Sequence, residues 1–222
     1  MNSVLVIAPH PDDETLGCGG TLLRHKAEGS YIHWLIMTGL FEQNGFDVQR
    51  ILSRKEEIQK VAENYSFDSV LQAGFPTTRL DEIPLGEVIG FISNAIRSIK
   101  PDTIYLPYSG DVHTDHGVVF TAALACTKSF RYPYVKKVRV YETLSETEFN
   151  IRPDTVAFKP NLWIDITFYL ANKIKIMNLY EGEMNDHPFP RSEKNLNSLA
   201  TFRGATAGCE FAEAFISIKE VV

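Results

Sequence analysis

Short apolar segments alternate with amphipathic segments along the first two thirds of the chain, and this alternation limits the fold more than any other feature. Residues 3–8 (SVLVIA) form an unbroken β-rich run, which is typical of a strand buried on both faces. Residues 85–99 carry apolar side chains at helical spacing and end before Lys100-Pro101, where a helix is expected to stop. The same patterns predict strands at 31–38, 70–73, 103–106 and 138–143, and helices at 16–27, 51–65 and 116–128. Strands that alternate with helices in this way predict βαβ units, and therefore a Rossmann-like α/β sandwich of three layers with a mainly parallel sheet.

The 222 residues are expected to form one domain, 1–222. Residues 1–145 make up the predicted Rossmann-like core, and residues 146–222 are a C-terminal extension expected to pack on the same domain. Within the extension, the pattern predicts a strand at 156–166, a helix at 169–180, a helix from about residue 192 and a last strand at 215–220. No linker, repeat or low-complexity tract divides the sequence.

Composition and charge exclude several classes of function. The formal net charge is −6 with no dense cluster of lysine and arginine, which argues against a nucleic-acid partner. No run approaches the roughly 18 apolar residues of a membrane span, and the first residues lack the basic region of a signal peptide. The three cysteines are too widely spaced to indicate a disulfide framework or a thiolate metal site. We therefore expect a reduced, cytoplasmic protein.

Two loops are rich in groups that can bind metals and transfer protons. Residues 9–14 (PHPDDE) follow the first predicted strand, and residues 107–117 (PYSGDVHTDHG) follow the fourth. In open α/β sheets, ligands bind beyond the carboxyl ends of the strands, so both loops are expected at the same edge. Histidine and carboxylate ligands without cysteine are typical of a catalytic zinc site, which keeps one position for water; iron and cobalt accept the same ligands. The adjacent Asp12 and Asp13 offer one ligand and one general base for that water.

Other interpretations of these loops remain open. An H-x-x-D pair is common by chance, and acidic turns before helices often only cap them. Several titratable groups at one edge cost stability unless a cation or a reaction needs them, so the two loops together favour a functional site. The open alternatives are a metal-dependent amidase or phosphoesterase and a non-catalytic, sugar-binding Rossmann-like protein. Neither the H-x-H strand motif of amidohydrolases nor the extra carboxylates of two-metal phosphoesterases is visible.

The segment VLVIAPHPDDETLGCGG, followed about ninety residues later by HTDHG, resembles the PIG-L/LmbE-like zinc-dependent N-deacetylases. The segments FPTTRLDEIPLGEV, YETLSETEFN and FRGATAGCEFAEAF are also similar to segments of that family, so the resemblance covers most of the chain. It implies a hydrolase that removes the N-acetyl group from an N-acetylated amino sugar or its conjugate and releases acetate. It further implies Zn²⁺ as cofactor, with Fe²⁺ or Co²⁺ as alternatives, a small-molecule substrate, and assembly as a homo-oligomer.

The resemblance also implies roles for individual residues. His10, Asp13 and His116 correspond to the zinc ligands, and Asp12 corresponds to the general base. His113 corresponds to a histidine that stabilises the oxyanion as imidazolium and helps to protonate the leaving amine. Asp115 corresponds to the acid that orients and charges that histidine.

Four further residues are candidates for binding the substrate: Arg79, Asp111, His187 and Arg203. Arg79 follows the third strand, although pairing with Asp81 or Glu82 would explain it equally well. His187 lies in a proline-rich loop that, together with Arg191, could cover the pocket. Arg203 either contacts substrate or caps a helix. Three glycines in the first helix, Gly17, Gly19 and Gly20, do not have the spacing of a nucleotide-binding loop and are predicted to allow close packing.

Overall fold

A single seven-stranded sheet forms the centre of the computed structural model, which describes residues 2–154 and 156–222. The strands are β1 (Ser3–Ala8), β2 (Tyr31–Gly39), β3 (Ser69–Pro76), β4 (Thr103–Pro107), β5 (Lys137–Tyr141), β6 (Leu162–Asp165) and β7 (Ala212–Glu220). The helices are α1 (Asp13–Ala27), α2 (Val48–Tyr65), α3 (Leu85–Ile99), α4 (Thr114–Ala125), α5 (Leu170–Met177) and α6 (Glu193–Ala207), with 3₁₀ turns at Glu42–Asn44 and Leu80–Glu82. In the described part of the chain, none of these helices has the length and apolar character needed to cross a bilayer.

The strand order is β3-β2-β1-β4-β5-β7-β6. Strands β1 to β5 pair in parallel, whereas β7 is antiparallel to both β5 and β6. The chain leaves β1 towards β2 on one side, and β4 lies on the other side. This is the point where the strand order reverses, and open α/β sheets bind ligands in the crevice that such a reversal creates. The predicted α/β fold with a mainly parallel sheet is confirmed.

The sheet separates two apolar layers, as the unbroken apolar run of β1 predicts. Val4, Val6 and Ala8 point to the layer covered by α1, α2, α5 and α6. Leu5 and Ile7 point to the layer covered by α3 and α4. All five side chains are fully buried, so β1 is buried on both faces and the fold has three layers.

The extension adds to the same sheet and the same apolar layer. Strand β7 lies between β5 and β6, and α5 and α6 pack on the α1 face. On this arrangement we propose that residues 1–222 form one domain. The predicted strand at 156–166 is shorter than expected, because only 162–165 pair with β7. Pro160 precedes that pairing and cannot donate a ladder hydrogen bond.

The glycines of α1 allow close packing of this helix, as predicted. A Cβ atom on Gly20 would lie 2.8 Å from the Ile166 side chain, and one on Gly17 would collide with the ring of Tyr141. Helix α1 therefore packs directly against the strands and loops that surround the end of β1.

Candidate metal centre

The loops that follow β1 and β4 meet at the carboxyl edge of the sheet. Strands β1 and β4 are hydrogen-bonded neighbours in parallel register. The first loop carries His10 and leads into α1, which begins at Asp13, and the second leads into α4, which contains His116. The ring centroids of His10 and His116 are 5.5 Å apart. The two imidazoles are therefore close enough to share one ion.

Three side-chain atoms converge here. Oδ2 of Asp13 lies 3.2 Å from Nδ1 of His10 and 3.4 Å from Nε2 of His116. One ligand atom from each of these residues lies within 4.8 Å of the others. Within residues 2–154 and 156–222, Nε2 of His116 is buried and has no hydrogen-bond partner. A buried imidazole nitrogen that has no hydrogen-bond partner and lies beside a carboxylate oxygen is typical of a metal ligand. Two imidazole nitrogens and one carboxylate oxygen are a donor set that fits zinc.

Each of the two imidazoles is held by a carboxylate on its other nitrogen. Nε2 of His10 lies 3.0 Å from Oδ2 of Asp115, and Nδ1 of His116 lies 2.7 Å from Oδ2 of Asp111. Carboxylates in this position fix the tautomer and orientation of metal-binding histidines and make them more basic. The structure thus gives His10 and His116 equivalent surroundings: Asp13 on the inner nitrogen and a buried carboxylate on the outer one.

The structure shows the contacts of two further expected site residues, whose roles stay predictions. Asp111 was expected to bind substrate, but it is buried and holds His116, and its other oxygen accepts a hydrogen bond from the Thr147 hydroxyl. Asp115 was expected to orient His113, but its carboxylate faces His10 and accepts the backbone N–H groups of Thr78 and Leu80.

The charges of the cluster are strongly coupled. Although burial lowers it, hydrogen bonds to Asp115 and Asp13 raise the pKa of His10 to about 9. Burial disfavours the charged form of Asp13, yet the adjacent His116 and His10 hold the pKa of this carboxyl well below its usual range. This direction favours the deprotonated carboxylate of Asp13, the form that binds metals.

Asp12 faces the same space and has a different environment. It is buried, and burial raises its pKa to about 8 against the opposing charge of Arg191. Oδ2 of Asp12 accepts a hydrogen bond of 2.7 Å from Nη1 of Arg191. The two adjacent aspartates thus differ in the way that a ligand and a general base need to differ.

His113 is the N-cap of α4 and lines the cavity. The backbone N–H of Asp115 donates to Nδ1 of His113 over 3.1 Å, so the ring proton of the neutral form is on Nε2. Burial, with the neighbouring His10, lowers the pKa of His113 to about 4. In its neutral form the ring offers an Nε2–H donor, and the imidazolium expected from the resemblance stays a prediction.

A cavity of about 450 Å³ opens from this cluster towards α2. Its inner end is polar and includes His10, Asp12, His113 and Arg191. Its outer wall contains the apolar side chains of Leu40, Phe41, Phe46, Ile51 and Ile58, together with Arg50 and Lys55 from α2. The cavity therefore has room for a sugar beside the cluster and for a further group beyond it.

All four substrate-binding candidates, including the buried Asp111, lie outside the cavity lining. Arg79 is exposed, and its Nη1 is 3.8 Å from Glu82. His187 is also exposed. Arg203 forms a two-point ion pair with Glu142, at 2.6 and 2.8 Å. Of the residues considered for this loop region, Arg191 is the one that lines the cavity.

Sequence reasoning missed Arg54 and Glu183, which also line the cavity. Nη1 of Arg54 donates to the carbonyl of Pro11 over 2.7 Å, and Nη2 donates to Glu183. One signal was available for Arg54. It shares a helical face with Ile51 and Ile58, and a charged residue on an otherwise apolar face calls for a buried partner.

Comparison with known proteins places these features in context. Residues 5–127 match the family model PIG-L: GlcNAc-PI de-N-acetylase. A diacetylchitobiose deacetylase from Thermococcus kodakarensis is 24% identical over 222 aligned residues, which cover 96% of this chain and 82% of the relative.

Solved structures are similar over the whole chain. The N,N'-diacetylchitobiose deacetylase from Pyrococcus horikoshii has a TM-score of 0.78 at 21% identity, covering 98% of this chain and 84% of that one. GalB, the 4-carboxy-2-hydroxymuconate hydratase from Pseudomonas putida KT2440, has a TM-score of 0.76 at 17% identity, covering 100% of this chain and 98% of that one. At these identities the two structures share the fold. Since one is a deacetylase and the other a hydratase, the fold by itself does not determine the reaction.

Proposed function

The chain belongs to the PIG-L family, the GlcNAc-PI de-N-acetylases, and on that premise we propose that it is a metal-dependent N-deacetylase of an N-acetylated amino sugar. The reaction is hydrolysis of the amide, which releases acetate and leaves a free amine on the sugar. One observation carries the proposal. The orphaned Nε2 of His116, Nδ1 of His10 and Oδ2 of Asp13 converge beside Asp12 at the inner end of the cavity.

His10, Asp13 and His116 would hold the metal, and Asp111 and Asp115 would orient the two histidines. When bound, a divalent cation supplies a Lewis acid that polarises the acyl oxygen and makes a water molecule more acidic. We assign Zn²⁺ from the two nitrogen donors and one oxygen donor, ahead of Fe²⁺ or Co²⁺.

Asp12 is the proposed proton carrier. Its carboxylate takes a proton from the attacking water, and the same proton then passes to the amide nitrogen as the C–N bond breaks. Arg191 holds Oδ2 of Asp12, and burial raises the pKa of Asp12 to about 8. A carboxyl that changes protonation state near neutral pH can serve in both directions within one turnover.

His113 is the proposed donor to the acyl oxygen, where negative charge develops. Because Nδ1 accepts the N–H of Asp115, the Nε2–H of the neutral ring is free to donate into the cavity. A preorganised donor at this position is worth roughly 3–4 kcal/mol in the transition state.

The cavity supports a small-molecule substrate. Its volume of about 450 Å³ and the apolar side chains of its outer wall accommodate an amino sugar with an attached second group. The relative from Thermococcus kodakarensis is named for a disaccharide that carries two acetyl groups, and a substrate of this size is the first to test. The three free cysteines support a reducing, cytoplasmic setting, and the homo-oligomer stays a prediction.

Metal analysis combined with an acetate-release assay on N-acetylglucosamine and diacetylchitobiose tests the proposal. We expect about one zinc ion per chain and release of acetate. Metal without acetate release would favour another metal-dependent hydrolase, and a chain that binds no metal would favour a sugar-binding protein.

Two variants test the assignment of residues. Asp12→Ala should keep its zinc and lose most turnover, whereas His10→Ala should lose both. If Asp12→Ala lost the metal instead, the roles of Asp12 and Asp13 would be reversed.

A further inference from the structure

The backbone of Asp12 has an unusual conformation, with φ of 140° and ψ of −30°. Residues with side chains rarely adopt this region, and holding one there strains the backbone. Such a conformation persists only where the surrounding structure enforces it. The carbonyl of Asp12 accepts the backbone N–H groups of Thr15 and Leu16 in α1. Two further sets of contacts hold Asp12, one at its backbone N–H and one at its carboxylate.

The backbone contact runs through Glu14. The N–H of Asp12 donates to Oε2 of Glu14 over 3.0 Å, and Glu14 is fully buried. The other oxygen of Glu14 accepts the hydroxyl of Tyr180 over 2.7 Å and the hydroxyl of Thr15 over 2.5 Å. Tyr180 is buried and follows α5, so this support comes from the extension.

The carboxylate contact also comes from the extension. Nη1 of Arg191 donates to Oδ2 of Asp12 over 2.7 Å. Arg191 is itself fixed, because Nη1 also donates to Glu183 over 2.8 Å and Nε donates to the Ser145 hydroxyl over 2.7 Å. The guanidinium therefore has little freedom to move away from Asp12.

The candidate metal ligands have different supports. His10, Asp13 and His116 all belong to residues 1–145, and so do Asp115 and Asp111, which hold the two histidines. The extension contacts this set through the Thr147 hydroxyl, which donates to Asp111, whereas Tyr180 and Arg191 bond to Glu14 and Asp12.

We propose that Tyr180 and Arg191 are positioning residues through which the extension fixes the general base. Tyr180 acts through Glu14 on the backbone of Asp12, and Arg191 acts directly on its carboxylate. This inference rests on the proposed function, because it takes Asp12 as the group that carries the proton.

A merely structural role for Tyr180 makes a different prediction. The tyrosine is buried, and Arg54 lies over its ring at 5.5 Å. Loss of its hydroxyl would then lower stability without affecting turnover selectively. Tyr105 is a matched control, since it is also fully buried and its hydroxyl bonds to His25 and Arg139, which lie outside the cavity lining.

The experiment compares Tyr180→Phe, Arg191→Met and Arg191→Lys with the control Tyr105→Phe. Zinc content, thermal stability, kcat and KM are measured for the full chain, and crystal structures of the variants report the φ angle of Asp12. For Tyr180→Phe and Arg191→Met we expect unchanged zinc content, KM within about twofold and a kcat lowered about tenfold, since a 1 Å misplacement can cost about 100-fold. Arg191→Lys should recover part of kcat because it restores the charge, and Tyr105→Phe should lose stability alone.

Three results would overturn the inference. They are loss of zinc, a change confined to KM, or a kcat of Tyr180→Phe within twofold of that of Tyr105→Phe. If the wild-type chain releases no acetate from any substrate, the proposed function has failed, and the crystal structures decide the inference separately. Asp12 moving to a negative φ in Tyr180→Phe would support it, and an unchanged Asp12 in both Tyr180→Phe and Arg191→Met would overturn it.

Discussion

Replacing Asp111 should weaken zinc binding although Asp111 is not itself a candidate ligand. Its two oxygens accept one hydrogen bond each, from Nδ1 of His116 over 2.7 Å and from the Thr147 hydroxyl over 2.6 Å. In Asp111→Asn the hydroxyl of Thr147 can rotate and accept a hydrogen bond from the new side-chain NH₂ group. The side-chain amide oxygen then remains as the acceptor for Nδ1 of His116. The bond to His116 is then neutral and roughly half as strong.

The expected loss of zinc affinity follows from these hydrogen bonds. Removing a carboxylate behind a metal-binding histidine costs about 10- to 100-fold in affinity. Asp111→Asn keeps an acceptor and should lie near the tenfold end, which is about 1.4 kcal/mol. Asp111→Ala leaves Nδ1 of His116 unpaired and should lie near the 100-fold end.

Competition of the apoprotein with a chromophoric zinc chelator at fixed pH measures both losses. Glu142→Gln is the control, because Glu142 is a buried carboxylate whose bonding partner is Arg203 rather than a candidate ligand. Zinc bound by Asp111→Ala as tightly as by the wild type would refute the reasoning. An equal loss in Glu142→Gln would do the same, since the effect would then be one of general stability.

Other perturbations have effects of known direction. His113→Gln keeps a neutral donor, so its kcat should be at least about tenfold higher than that of His113→Ala. The kcat of His113→Ala should fall about 10²–10³-fold. Equal losses of kcat in the two variants, measured in steady-state assays, would show that a charged imidazolium is needed. Burial, with a neighbouring arginine, lowers the pKa of His25 from 6.5 to about 4, so the unfolded state binds more protons between these values. The free energy of unfolding should fall as the pH decreases through that range, and urea titrations of His25→Gln should show a shallower fall. Gly20→Ala brings a Cβ to 2.8 Å from a neighbouring side chain and should cost about 1–3 kcal/mol in urea unfolding, whereas Gly90→Ala meets open space and should stabilise α3 by about 0.5–1 kcal/mol.

The core of the fold could be predicted because its signals are local. The strand at Ser3–Ala8 was predicted with the bounds that the structure shows, since a strand buried on both faces is an unbroken apolar run. The extension gave weaker signals. β6 has only four residues, and nothing in the sequence near Ala212–Glu220 indicates that β7 pairs between β5 and β6. That choice depends on contacts between segments far apart in the chain, which no local pattern records.

For the candidate site, too, short motifs identify residues but do not identify contacts between distant segments. His10, Asp13 and His116 could be named from two short motifs, because the carboxyl ends of β1 and β4 bring those motifs together. The partner of Asp115 could not be predicted, since His10 lies 105 positions away and the adjacent His113 was the obvious candidate. Sequence proximity favoured His113, but side-chain geometry across the crevice decides which imidazole the carboxylate contacts.

Hydrolysis of an amide begins with removal of a proton from water. Hydrolysis makes a further demand, because the departing nitrogen must receive a proton as the C–N bond breaks. In this chain the group proposed to deliver it is Asp12. Burial raises the pKa of Asp12 to about 8, and Arg191 holds its carboxylate at the cavity lining. The proposed reaction therefore depends on how Asp12 is held, and the residues that hold it, Tyr180 through Glu14 and Arg191 directly, lie in the extension rather than in the Rossmann-like core.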